Sequence, residues 1–127
     1  MSSGFELITL IHPTAVIGSD VTIGNGSVVM PGAIINAKST IGNGVIINSG
    51  AIIEHECTIG DFAHICPGVA IAGGSLVGER SWIGIGSSVI QNITIKPDIT
   101  IGAGSVVVKD ILKGSLEYEN PCRVVKS

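Results

Sequence analysis

Three ionisable residues stand together at Glu54-His55-Glu56, and a second histidine, His64, follows nine residues later. An imidazole beside carboxylates suits a general base, because a carboxylate orients one ring nitrogen and favours the charged ring. The bland alternative is a solvated surface turn that happens to hold a histidine. Together with His12, read as structural or surface, the histidines number three, so a zinc site is the competing chemistry. Cys57, Cys66 and Cys122 are odd in number and lack CxxC spacing, which indicates neither a disulfide framework nor a zinc ribbon. Cys57 is read as core packing.

The elements that must position these residues follow from a period of six. From Ile11 to Val107 every sixth residue is Ile or Val, 17 in succession without an insertion. Counting that column as position one, 16 of the 18 glycines fall at positions two to four. Pro13, Pro31, Pro67 and Pro97 all fall at position three. Proline has no N–H for a sheet ladder and glycine supplies corner dihedrals. Positions two to four are therefore turns with the corner at three. Positions five, six and one are expected to form a short strand, five and one inward and six outward. Such units coil into stacked parallel rungs, an all-β solenoid.

Composition sets the outer bounds. The 127 residues suit one domain, and 45% hydrophobic with only 3% aromatic residues calls for a thin aliphatic core. A net charge of −3 without a basic run argues against nucleic acid or an anionic membrane as partner. No apolar stretch approaches the roughly 18 residues of a membrane helix, and no secretory signal is evident. A cytoplasmic protein is expected.

Motifs such as "IGNGSV", "IGNGVI" and "IGAGSV" resemble the hexapeptide repeat of left-handed β-helix acyltransferases. The resemblance implies a single-stranded left-handed parallel β-helix in which three hexads close a triangular coil, with five to six coils over residues 11–112. Residues 1–10 and 113–127 are then the lead-in and tail, candidate caps for the open ends. Residues 18 apart become stacked neighbours, so one column reads Ser19, Ala37, His55, Gly73, Gln91, Lys109. His55 projects outward at a corner with small neighbours on both sides, and His64 lies between Ile46 and Trp82 on an outer face. Outward Trp82, Ile46, Val28 and Val106 leave apolar surface of the kind that marks an interface.

The acidic-His-acidic turn, His64 nine residues on and Gly73 one coil above His55 resemble one branch of these acyltransferases. It comprises the NeuD-type sugar acetyltransferases of bacillosamine, perosamine and sialic-acid pathways. The C-terminal "ENPCRVV" resembles that branch's closing segment, with Glu119 and Cys122 in place of glycine and alanine. What the resemblance implies is an acetyl-CoA-dependent transferase, a homotrimer with sites between subunits, without a metal. It implies that His55 is the general base, supported by Glu56 or Glu54, and that His64 lies beside the acetyl donor. Gly73 would offer its N–H to the thioester carbonyl, and Asn48 would lie near a sugar or nucleotide-sugar acceptor. Five of the seven basic residues (Lys96, Lys109, Lys113, Arg123, Lys126) follow residue 95, where donor phosphates could be met. Relatives carry a βαβ-type domain ahead of the helix, whereas only Met1 to Leu10 precede the first hexad here. The chain is either a separated domain or a short enzyme. A scaffold built from the β-helix alone, and a γ-carbonic-anhydrase-like zinc enzyme, are the other readings.

Overall fold

A computed structural model describes residues 8–112 in full and, beyond them, the backbone of Leu116–Tyr118 and Arg123–Lys126. Ile and Val at position one, flanked by turn residues, form two-residue strands from Leu10–Ile11 to Val106–Val107. They sort into three parallel sheets, because every strand pairs with the strand three further along the chain. The register among these strands is 18 residues: Leu10 faces Val28, His64 faces Trp82, and Ser88 faces Val106; only past the last coil does it shorten to 16, where Ile95 faces Ile111. The sheets form the faces of a triangular prism. Strands Leu10–Ile11, Ile46–Ile47, His64–Ile65 and Trp82–Ile83 belong to the first face, Ile52–Ile53 and Ala70–Ile71 to the second, Thr58–Ile59 and Leu76–Val77 to the third.

The position-one column is the core. Ile35, Ile41, Ile47, Ile53, Ile59, Ile65, Ile71, Ile83, Ile95 and Ile101 are essentially fully buried, each contributing about 1.5–3 kcal/mol as an upper bound. Burial fails only at the first coil, where Ile11 is half-exposed and no rung lies beneath it among the described residues. Position five is buried too, as expected, yet it is not part of the strands. Its backbone is occupied by the corner instead. In one type of corner its N–H returns to the position-two carbonyl, as from Ala33 to Met30 and from Ala51 to Asn48. In the other a buried serine of the preceding coil stands between the two. Ser39 Oγ donates to the Glu54 carbonyl (2.7 Å) and accepts from the Cys57 N–H (3.1 Å).

The corner itself differs from expectation by one residue. Left-handed backbone falls at position four, not three, at Gly26, Gly32, Gly44, Gly50, Gly68, Gly74, Gly86 and Gly104. Seven non-glycine residues adopt it as well, among them Glu56 at φ 58°. Beyond the last coil, Leu116–Tyr118 adds in parallel to Thr100–Ile101, and Arg123–Lys126 returns antiparallel beside it. Phe5, Lys113, Cys122 and most of "ENPCRVV" lie outside the described residues.

Candidate active site

His55 stands at the corner between the second and third faces, following strand Ile52–Ile53. Its Nδ1 lies 3.3 Å from Glu56 Oε1, and both side chains are about two-thirds exposed. Glu56 reaches the ring from left-handed backbone, a conformation that costs an L residue roughly 1–2 kcal/mol and that glycine fills in eight other corners. Glu54 does not join them: its Oε1 accepts from Asn36 Nδ2 one coil back (3.0 Å).

Gly73 is next in the column. A Cβ built there would lie 2.8 Å from both Cε1 and Nε2 of His55, so the imidazole occupies the space a side chain at residue 73 would need. Gly73 alone among the repeat glycines occupies position three, and its φ is not left-handed. A Cβ at the glycines of position two, such as Gly60 or Gly84, would run into backbone of the next coil, whereas at Gly73 the close neighbours are all atoms of the His55 ring. A glycine at the wrong hexad position is the sequence signal that marks this site. The Gly73 N–H has no acceptor among the described residues. With Gly74, Gln91 and Asn92, these residues line an open cleft of about 470 Å³.

A second cluster forms on the first face. His64 stacks on Trp82 with ring centroids 4.3 Å apart and planes tilted by 55°. Asn48 lies 3.2 Å away, Nδ2 to Nε2. Asn48 Oδ1 accepts from the Ser49 N–H, so Nδ2 is the donor to His64 and a neutral ring carries its proton on Nδ1. Burial pushes the His64 pKa down, favouring that neutral form. Asn48 and His64 therefore belong together, but not with His55. The face that carries them lies opposite the corner that carries His55, across the prism.

His12, in the first corner, accepts at Nδ1 from the Thr14 N–H (3.1 Å). Among the described residues no group of three His, Cys, Asp or Glu is placed to hold a metal ion, and none of their helices is long and apolar enough to cross a membrane.

The molecule is a left-handed β-helix of hexapeptide repeats. The family model described as bacterial transferase hexapeptide (six repeats) matches residues 38–73. PerB from Caulobacter crescentus, solved in complex with CoA and GDP-perosamine, is 45% identical with a TM-score of 0.93, over 94% of this chain and 58% of that one. The acetyltransferase domain of PglB from Neisseria gonorrhoeae is 41% identical with a TM-score of 0.94, over 96% of this chain and 60% of that one. A variant of AntD, an N-acyltransferase from Bacillus cereus solved with dTDP and coenzyme A, shares the fold at 18% identity and a TM-score of 0.86, over 95% of this chain and 84% of that one. The resemblance to sugar acetyltransferases read from the motifs thus extends to whole-chain likeness. The chain spans about three fifths of the first two structures. No curated protein matches the chain.

Proposed function

We propose that this chain is the catalytic β-helix of an acetyl-CoA-dependent sugar N-acetyltransferase acting on an amino group of a nucleotide-sugar. The observation that carries the reading is the His55 imidazole, held at Nδ1 by Glu56 and laid against Gly73 in an open cleft. The likeness to PerB, which holds CoA and GDP-perosamine, supports the substrate classes. PglB's acetyltransferase domain, also solved with acetyl coenzyme A, supports the donor.

In this mechanism Nδ1–H donates to Glu56, which leaves Nε2 as the base. Nε2 takes the proton of the acceptor amine as its nitrogen attacks the thioester carbonyl. The Gly73 N–H donates to the developing oxyanion, where a positioned donor matters most. Collapse breaks the C–S bond, and the imidazolium returns its proton to the CoA thiolate. Glu56 is the supporting carboxylate in this scheme. Glu54, with its hydrogen bond to Asn36, instead steadies the strand end that leads into the turn.

The acetyl donor is placed beside His64 and the acceptor beside Asn48. Both residues face away from His55 in one chain, so all three share a site only when a second copy supplies the opposite face. A homotrimer with sites between subunits, packed through the apolar face of Ile46 and Trp82, satisfies this. We place the β-helix at 11–112, with 1–10 as lead-in and 113–127 as tail, and the protein in the cytoplasm, a setting that the buried free thiols of Cys57 and Cys66 support.

His55→Ala tests the proposal. Acetyl transfer from acetyl-CoA to an amino-sugar nucleotide should fall about 10²–10⁴-fold, with the thermal unfolding midpoint unchanged because the side chain is largely exposed. Full turnover in the variant would sink the base assignment, whereas a parent protein with no acetyl transfer at all would favour the scaffold reading.

A further inference from the structure

The mechanism leaves the buried thiol of Cys57 without a part, yet that thiol touches the peptide on which the mechanism depends. Cys57 is 1% exposed, and its Sγ donates to the Ala72 carbonyl at 3.2 Å. That carbonyl shares one peptide group with the Gly73 N–H. A trans peptide is planar with its C=O and N–H pointing in opposite directions, so a carbonyl held inward directs the N–H outward. Among the described residues no other donor reaches the Ala72 carbonyl.

The neighbouring corners show how deliberate this contact is. Ser75 Oγ donates to the Ile90 carbonyl and accepts from the Ile93 N–H, and Ser81 does the same for Lys96 and Ile99. Cys57 occupies the equivalent place for the turn at residues 72–75. Burial pushes its pKa up, which keeps the thiol protonated and therefore a donor at neutral pH. A hydrogen bond to the carbonyl also polarises the peptide and strengthens its N–H as a donor.

We propose that Cys57 is a positioning residue: its thiol sets the plane of the Ala72–Gly73 peptide and with it the direction of the Gly73 N–H. This rests on the reading of that N–H as the oxyanion donor. Without the thiol the turn can adopt the other corner type, in which the Ser75 N–H bonds the Ala72 carbonyl directly and the peptide plane rotates. Core packing alone predicts a different outcome, because a volume change at Cys57 would alter stability and leave the peptide where it is.

Two measurements on Cys57→Ala and Cys57→Ser separate these readings. In acetyl-transfer assays Cys57→Ala should lose about tenfold in kcat, a fraction of the 10²–10³ that a whole oxyanion donor supplies. Its KM for acetyl-CoA should stay within twofold of the parent protein, and Cys57→Ser, with a hydroxyl donor, should recover kcat to within threefold. In parallel, protein labelled with carbonyl-13C alanine and 15N glycine reports only two peptides, Ala72–Gly73 and Ala103–Gly104. The first signal should move in Cys57→Ala and stay near its parent position in Cys57→Ser, with the second fixed in both. A signal that does not move overturns the proposal whatever the kinetics. A moved signal with unchanged kcat also overturns it, and in that case the failure lies in the Gly73 donor reading and not in the anchor. Should Cys57→Ala fail to fold, Cys57→Val takes its place, equally without a donor and of a type that fills the equivalent buried position at Val45 and Val69.

Discussion

Gly73 and His55 are a matched pair, and each explains the other's presence. At φ values open to any residue, Gly73 is free to become alanine as far as its own backbone is concerned. The atoms in the way belong to an exposed imidazole. Gly73→Ala should therefore push His55 off the Gly73 backbone and cut acetyl transfer at least tenfold, an effect of about 1.4 kcal/mol or more on the barrier. The thermal midpoint should stay within a degree or two of the parent. A midpoint collapse would show that the glycine serves the coil instead. From sequence the column containing His55 and Gly73 was countable, because the 18-residue register holds without a slip from Leu10 to Val107. The roles of the two glutamates were not, since only geometry shows Glu56 turning to the ring and Glu54 to Asn36.

At the scale of the corner, the column of Ile and Val was legible because burial leaves position one no other residue type. The left-handed residue at position four was less so. Glycine dominates there, but Phe62, Arg80, Lys38 and Glu56 occupy the same backbone, and their polarity or bulk hides the pattern. The serine staples were also invisible, because a small residue at position five fits packing and hydrogen bonding equally well. Glu56 holds a conformation that disfavours its side chain, which makes it a candidate for a trade between stability and chemistry. Glu56→Gly should raise unfolding free energy by about 1 kcal/mol while lowering kcat, read by chemical denaturation and by assay on the same preparation. Loss of stability would mean that the carboxylate holds the corner.

For the whole molecule, the separation of His55 from Asn48 and His64 is the decisive fact. The nine residues from His55 to His64 carry the chain through one and a half hexads, to the far side of the prism. If two copies complete each site, His55→Ala and His64→Ala proteins that are inactive alone should complement each other after co-refolding. Random mixing at equal amounts leaves about one interface in four with both wild-type halves, by the symmetry of a closed ring. Activity near a quarter of the parent level is therefore expected. No recovery above the single variants would place both histidines' functions within one chain or deny the oligomer.

The unbroken register gives every side chain an address of two whole numbers, the coil and the column. Changing the first moves a group by about 4.8 Å along the axis without altering its bearing, and changing the second turns it about the axis at constant height. Chemistry on such a scaffold is composed as on a grid: an imidazole in one cell needs an empty cell beyond it. Residues 55 and 73 are two cells of that kind.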